Sequence, residues 1–173
     1  VIFYTNCKIR LFTKKVSKII QSITLSHIRL YHSRYRSCGH LWQGRFKSSV
    51  IQTDEYLLQC LKYIESNPLR ANIVSRPEDY RWSSYRFHAF GEDEYKILDK
   101  DPLYLSLGDT DQDRQKAYHK FFAKPQDKKI IELIRKSIAN DSILGVEGFI
   151  TQLREKLFLS KPRPRGRPKR ISL

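Results

Sequence analysis

The sequence predicts an α+β fold in which a helix, a strand and a second helix are followed by a small helical region and a basic tail. Two segments, residues 13–36 and 57–66, repeat apolar side chains every three or four positions, as amphipathic helices do. Between them, residues 45–53 are rich in the β-branched and aromatic side chains that favour strands. Three further helical patterns cover residues 113–123, 127–139 and 146–157.

The first helix, predicted for residues 13–36, has an apolar side and a basic side. Its apolar positions are Val16, Ile19, Ile20, Ile23, His27, Leu30 and Tyr31. Lysines and arginines occupy much of the remainder, and no acidic residue lies nearby in sequence. The basic side is therefore either a solvated surface or a surface that follows a phosphate backbone. Residues 1–11, which mix β-branched and aromatic side chains, are a candidate strand.

The second helix carries the residues on which the functional interpretation depends. Apolar residues at positions 57, 60, 61 and 64 form one stripe that we expect to be buried. The helix should end near Ser66, because a residue that precedes a proline, here Pro68, is pushed out of the α region. Tyr63 then lies in the last turn, and Asn67 lies one turn beyond it on the same face. A tyrosine at the end of a helix can also be a simple packing residue.

The chain beyond the second helix is less regular. Residues 69–80 are predicted as a connector and residues 91–113 as an acidic loop. Residues 80–86 alternate aromatic, basic and polar side chains, so they either dock on the core or offer a stacking surface to bases, and packing is the favoured role for Trp82 alone. The last three helices carry mixed charge and match a helix-turn-helix DNA reader only weakly.

The formal charge of +15 on 173 residues points to a polyanionic partner. Residues 1–53 contain ten Lys and Arg and no acidic residue, and residues 161–173 contain six and none, whereas the middle is nearly neutral. The alternative is a basic protein with no such partner. Three scattered cysteines argue against a disulfide framework, and no apolar run approaches a membrane span. We therefore expect a cytoplasmic, nucleoid-associated protein with no membrane partner.

The basic tail, residues 161–173, is predicted to be disordered, because its prolines and dense charge prevent a buried helix. Its PRGRP core resembles an AT-hook, in which a thin Arg-Gly-Arg-Pro segment enters an A·T-rich minor groove. The alternative is a generic basic tail that binds any phosphate backbone. The tail residues predicted to bind DNA are Arg163, Arg165, Arg167, Lys169 and Arg170.

Three stretches resemble, in order and spacing, the second half of the REP-associated tyrosine transposases, which are single-tyrosine HUH transposases. They read LWQGRFKSSVI, DEYLLQCLKYIESNPLRANIV and PEDYRWSSYR. The resemblance implies a partial ferredoxin-like core made of helix, strand and helix, and a homodimer. It divides the chain into a partial catalytic domain (1–90), a connector (91–112), a helical subdomain (113–160) and an AT-hook-like tail (161–173).

The resemblance also implies a reaction, in which single-stranded DNA is cut beside a hairpin during DNA transposition. A tyrosine attacks a phosphodiester and leaves a 5′-phosphotyrosine link and a free 3′-hydroxyl. Through the motif YIxxNP this nucleophile falls on Tyr63, and Asn67 would supply an oxygen ligand to Mg²⁺ or Mn²⁺. Basic residues that would hold the strand are Arg45, Lys47, Lys62 and Arg70, with ordinary surface charge as the alternative for each.

The chain departs from this family in its histidines. The family's metal site uses a His-hydrophobic-His pair on a core strand, and none of the five histidines here forms such a pair. Because the chain also has no methionine and starts at Val1, we expect a fragment or a degenerate gene that does not cleave DNA alone. A transposase and a non-catalytic DNA-binding protein derived from one both stay open. A basic RNA-binding protein is a third alternative, without a recognisable RNA module.

Overall fold

The structure is a computed structural model that describes residues 16–44, 46–47, 49–52 and 56–156. Helices dominate these residues, together with a short 3₁₀ turn at Pro77–Asp79. The helices are α1 (Val16–Tyr35), α2 (Leu57–Glu65), α3 (Asn67–Arg70), α4 (Tyr85–Phe90), α5 (Pro102–Leu105), α6 (Asp111–Ala123), α7 (Lys128–Ala139) and α8 (Glu147–Lys156).

The predicted α+β class, with its ferredoxin-like core, is wrong, because the described residues form helices and no sheet. The segment predicted as a strand makes one isolated parallel bridge, from Ile51 to Leu144. In this bridge Gln52 N donates to Leu144 O and Leu144 N donates to Val50 O, both over 2.8 Å. β-Branched residues favour a strand only where a neighbouring strand pairs with them. Here the described segment finds a partner for a single residue.

The periodic helices were predicted correctly, since α1, α2, α6, α7 and α8 lie where apolar residues recur at helical spacing. Side-chain caps fix the start of two of them. The Thr110 hydroxyl accepts a hydrogen bond from Asp113 N (3.2 Å), and the Asp127 carboxylate accepts one from Lys129 N (2.8 Å). Such caps satisfy backbone N–H groups that have no partner inside the helix.

Three short helices, α3, α4 and α5, lie where the sequence analysis predicted no helix, and α3 shows why. Proline lacks the N–H that an interior helical residue donates, but a residue in the first helical turn needs no such bond. Pro68 therefore ends α2 and also occupies the first turn of α3. Helix α4 ends at Gly91, whose φ of +75° is the left-handed conformation that glycine adopts without strain.

The chain divides into two compact units, Val1–Lys47 and Ser48–Leu173. In the first unit, the residues after α1 fold back on its last turns, where the His32 ring contacts Ser37 Oγ (2.9 Å) and Gly39 O (3.1 Å). In the second unit, α4 and α6 pack together and α2 contacts α7. The predicted domain limits at residues 90 and 112 therefore lie inside one compact unit.

The second unit contains two apolar clusters that hold its helices together. One joins Cys60 and Tyr63 of α2 to Ile134 of α7 and to Leu144. The other consists of Tyr85, Ala89, Tyr104 and Tyr118 from α4, α5 and α6. Helix α2 thus meets α7 through one set of side chains, and this contact positions its last turn.

In the part of the chain that the structure describes, no helix is both long enough and apolar enough to cross a membrane. The candidate strand at residues 1–11 and the predicted basic tail at residues 161–173 lie outside the described residues.

Candidate functional site at the end of helix α2

Tyr63 lies in the last turn of α2, as predicted, and its ring is largely buried. The residue is 8% exposed and contacts the apolar cluster of Cys60, Ile134 and Leu144. The ring thus has the packing role that was the alternative for this tyrosine. Its hydroxyl forms no hydrogen bond with another described residue. The phenol is therefore held in position through its ring, while its hydroxyl oxygen makes no hydrogen bond within the described chain.

Arg70 folds back from α3 onto Tyr63. Its guanidinium carbon lies 4.2 Å from the centre of the Tyr63 ring, a cation–π contact. Its Nη2 donates to the Tyr63 carbonyl oxygen and, over 2.6 Å, to Asn67 Oδ1. Because α3 follows α2 after a single residue, the chain places Tyr63, Asn67 and Arg70 in one group.

Arg135 of α7 adds a second positive charge to this group. It lies next to Ile134, which packs from α7 in the same apolar cluster as Tyr63. Partial burial lowers the pKa of Arg70, the neighbouring Tyr63 raises it and the positive charge of Arg135 lowers it. We call these four residues, Tyr63, Asn67, Arg70 and Arg135, the Tyr63 cluster. Sequence reasoning missed Arg135, because only the packing of α7 on α2 brings it near.

The donor atoms near Tyr63 do not make a metal site by themselves. Mg²⁺ and Mn²⁺ prefer several oxygen ligands, mostly carboxylates and water. Asn67 Oδ1, the predicted ligand, accepts a hydrogen bond from the Arg70 guanidinium instead. Among the described residues, no group of three or more His, Cys, Asp and Glu side chains is placed to hold a metal ion. The described residues therefore do not fit a metal, and metal dependence stays a prediction.

Lys62, predicted to bind DNA, points into the protein. It is 4% exposed, and its Nζ donates to the carbonyl oxygens of Phe121 (2.8 Å) and Lys124 at the end of α6. These carbonyls have no partner within the helix, so the ammonium caps the negative end of α6. Burial, and then the charge of Lys124, lower the pKa of Lys62.

The other predicted DNA-binding residues lie in the first unit or outside the described residues. Lys47 is exposed and belongs to the first unit. Arg45 lies outside the described residues, and so do the tail residues Arg163, Arg165, Arg167, Lys169 and Arg170. Their roles in DNA binding stay predictions.

Sequence reasoning also missed a buried polar network around Glu65, two residues beyond Tyr63. Glu65 is completely buried. Its Oε1 accepts a hydrogen bond from Ser84 Oγ (2.6 Å) and contacts His88 Nδ1 (2.8 Å), and its Oε2 accepts one from Tyr118 Oη (2.7 Å). We call these four residues the Glu65 cluster. Burial and then the Glu65 charge raise the pKa of Tyr118 well above its usual value, so this phenol stays protonated and donates.

The Glu65 cluster serves the fold. A buried carboxylate is tolerated only when donors satisfy its oxygens, and here three side chains from α4, α6 and the turn before α4 do so. In addition, Tyr104 Oη donates to the carbonyl oxygen of His88 (2.8 Å), which ties α5 to α4. The cluster thereby fixes the end of α2, and with it the position of Tyr63.

Comparison with family models, with curated proteins and with solved structures finds no match to this chain.

Proposed function

We propose that this chain binds single-stranded DNA as a tyrosine transposase does, with Tyr63 as the group that attacks a phosphodiester. The observation that carries the proposal is the contact between a positioned phenol and the Arg70 guanidinium just beyond the end of α2. Arg70 lies 4.2 Å from the Tyr63 ring, and Arg135 is near enough to lower the pKa of Arg70. We expect a phosphate bound at Tyr63 to be attracted by the Arg70 guanidinium, with the charge of Arg135 as a second electrostatic contribution.

The reaction forms one bond and breaks another at the same phosphorus. The Tyr63 oxygen would bond to the phosphorus as the bond from phosphorus to the 3′-oxygen breaks. The phenol proton passes to solvent, and the leaving 3′-oxygen takes up a proton to become a hydroxyl. A free phenol is a poor nucleophile at neutral pH, so the attack needs positive charge close to the reacting atoms. Arg70 and Arg135 would stabilise both the phenolate and the charge that develops on the phosphate.

A second function, DNA binding without cleavage, is favoured by the burial of Tyr63 and the hydrogen bonding of Asn67. The Tyr63 ring is buried, and Asn67 Oδ1 is engaged by Arg70 rather than free for a metal. A chain that has lost its metal ligands would keep its positive charge, and with it an affinity for phosphate backbones. The predicted homodimer and the predicted AT-hook role of the tail belong equally to both functions.

Covalent capture separates the two functions. The full-length chain is mixed with end-labelled single-stranded hairpin DNA, with Mn²⁺ in one arm and EDTA in the other, and denatured. The first function predicts a labelled protein–DNA adduct that disappears in Tyr63→Phe, which removes only a hydroxyl that forms no hydrogen bond with the described residues. Tyr56→Phe, a change to a half-buried tyrosine before the same helix, is the matched control and should leave the adduct intact.

The outcomes of this experiment are distinct. An adduct that forms in both tyrosine variants would place the attacking group elsewhere. Retained DNA binding with no adduct, either with Mn²⁺ or with EDTA, would establish the second function. Failure to bind any single-stranded, hairpin or duplex DNA at moderate salt would overturn both.

A further inference from the structure

The most exposed tryptophan in the described structure lies far in sequence from Tyr63. Trp82 is 67% exposed, so it does not have the packing role that is usual for a tryptophan. Its ring stacks on that of Tyr95, which is 47% exposed, with 6.0 Å between the ring centres and 10° between the planes. The two rings therefore form a nearly parallel aromatic surface that is open to solvent.

Arg81 completes this surface. Its guanidinium carbon lies 4.6 Å from the Trp82 ring centre and 6.0 Å from the Tyr95 ring centre. Its Nη2 donates to Tyr95 Oη and, over 2.9 Å, to Glu94 Oε1. These bonds join the turn that carries Trp82 to the turn that carries Tyr95. We call Arg81, Trp82 and Tyr95 the aromatic platform.

The backbone beneath the platform is also fixed. The Asp93 carboxylate accepts hydrogen bonds from Ile97 N (3.3 Å) and Leu98 N (3.0 Å), which closes the turn around Tyr95. On the other side, Ser83 Oγ accepts a hydrogen bond from Tyr85 N (3.2 Å) at the start of α4. A surface that is ordered before its ligand arrives loses little conformational entropy on binding.

We infer that the aromatic platform is a stacking site for an unpaired base of single-stranded DNA. Aromatic side chains on the surface of a protein with a large positive charge are the usual means of holding single strands, because every base has a face that can stack. In duplex DNA the base faces are already stacked on each other, so the platform selects single strands. The inference rests on the proposed function, since it names the residues that hold the bases.

The charges around the platform predict how it contributes. Arg81, the positive charge of the platform, is paired with Glu94. The platform therefore supplies stacking rather than attraction for phosphates. Its contribution to affinity should be almost independent of salt, whereas the contribution of unpaired basic residues should fall as salt rises.

Tryptophan fluorescence tests the inference directly, since the chain has two tryptophans. In Trp42→Phe, Trp82 is the sole tryptophan, so the fluorescence of the protein reports on the surroundings of the Trp82 indole. Titration with oligo(dT) should quench this emission, because a stacked base contacts the indole. An abasic oligonucleotide of the same length and charge should bind through its phosphates and leave the emission unchanged.

Affinity measurements with a labelled oligo(dT) complete the experiment. Trp82→Ala should weaken binding roughly 5- to 150-fold, the range expected for the loss of one stacked base, and leave the salt dependence of binding unchanged. Tyr95→Phe keeps a ring and should retain most of the affinity. The matched control is Ile97→Ala, which removes an exposed apolar side chain of the neighbouring turn and should have no effect.

Each outcome bears on one claim. Binding of oligo(dT) without quenching, or with equal losses in Trp82→Ala and Ile97→Ala, would overturn the stacking site and leave DNA binding intact. Concentration-dependent self-association that Trp82→Ala abolishes, with no quenching by DNA, would assign the platform to a protein interface instead. Absence of oligo(dT) binding by an unmodified chain that binds hairpin DNA would also overturn the stacking site. Failure to bind any single-stranded, hairpin or duplex DNA would overturn the proposed function itself.

Discussion

Helix α2 carries two polar clusters that lie on different sides of its last turn and differ in how their charges are balanced. Tyr63 and Glu65 are two residues apart, which turns their side chains about 200° from each other around the helix axis. Glu65 is completely buried, and its carboxylate contacts the three other side chains of the Glu65 cluster. In the Tyr63 cluster, no ion pair joins Arg70 or Arg135 to an acidic residue of the described chain.

The difference separates polar groups that are satisfied within the fold from arginines that have no acidic partner among the described residues. Full satisfaction of a buried charge stabilises one arrangement and leaves nothing for a ligand to bind. Burial lowers the pKa of Arg70 and the positive charge of Arg135 adds to this effect, whereas an anionic ligand would act in the opposite direction. Mutations on the Glu65 side should therefore change stability, and mutations on the Arg70 side should change binding.

Removal of the buried carboxylate should have the largest effect on stability. Glu65→Ala leaves the side chains of Ser84, His88 and Tyr118 without their acceptor inside the protein. We expect a loss of about 3–5 kcal/mol in the free energy of unfolding, measured by urea denaturation. Glu132→Ala, on an exposed position of α7, is the control and should change little. Equal losses in the two variants would show that the Glu65 cluster does not stabilise the fold.

Removal of one donor from the same cluster should have a smaller effect. Tyr118→Phe deletes the hydroxyl that donates to Glu65 Oε2 over 2.7 Å and keeps the ring in its apolar cluster. A hydrogen bond to a charged group contributes about 1.5–3 kcal/mol, and we expect a loss of that size in urea denaturation. Tyr35→Phe, at an exposed tyrosine, should leave the midpoint unchanged.

Alkaline pH tests whether the apolar cluster beneath Tyr63 is closed to water. Burial raises the pKa of the Cys60 thiol from 9.0 to about 12. Between these values the unfolded chain has lost the thiol proton and the folded chain keeps it, so the free energy of unfolding should fall by up to about 1.4 kcal/mol per pH unit. Below pH 9 this contribution is fully present.

Cys60→Ala isolates the thiol in this pH titration. The pKa values of Tyr85, Tyr104 and Tyr118 are also raised, and these tyrosines lower the free energy of unfolding mainly above pH 10, their usual pKa. Urea denaturation between pH 9 and 10 should therefore show a flatter pH dependence in Cys60→Ala than in the unmodified chain. Identical slopes would mean that water reaches Cys60 in the folded protein.

The parts of this structure that the sequence predicts are those with local causes. The helical spacing of apolar residues gives α1, α2, α6, α7 and α8, and the motif YIxxNP gives Tyr63 and Asn67. The strand prediction failed because pairing depends on a partner distant in sequence, and the described segment around Ile51 pairs through one bridge to Leu144.

The rest of the site depends on contacts that no local pattern reveals. Glu65 and Tyr118 are 53 residues apart along the chain, and Arg135 approaches Arg70 only because α7 packs on α2. The sequence also favoured packing for Trp82, since tryptophans are usually buried, and the structure exposes it. The contact between Asn67 and Arg70 could have been predicted from the sequence, because residues three apart on a helix contact each other.

On the Tyr63 side, loss of Arg70 should change binding more than stability. Arg70→Ala removes the cation–π contact with Tyr63 and the bond to Asn67, which together contribute about 1 kcal/mol to folding at a partly exposed site. The affinity for a single-stranded hairpin should fall roughly 10-fold or more, because a charge-assisted contact to phosphate is lost. Fluorescence anisotropy measures the affinity and urea denaturation the stability. A large loss of stability with unchanged affinity would assign Arg70 to the fold.

The smallest change in stability should come from substitution of Arg135. This substitution also tests most sharply whether DNA binds locally at this residue or senses only the net charge. Arg135→Gln and Lys136→Gln each remove one positive charge from exposed neighbouring positions of α7, so both should change the free energy of unfolding by less than about 0.5 kcal/mol. If DNA senses only net charge, both variants should weaken binding equally and reduce its salt dependence equally. If the phosphate binds between Arg70 and Arg135, only Arg135→Gln should lower the affinity for the hairpin by more than this shared amount. In the Arg135→Gln variant, Arg70 alone would hold the phosphate beside Tyr63. Equal behaviour of the two variants would remove Arg135 from the Tyr63 cluster and leave Arg70 as its one cation among the described residues.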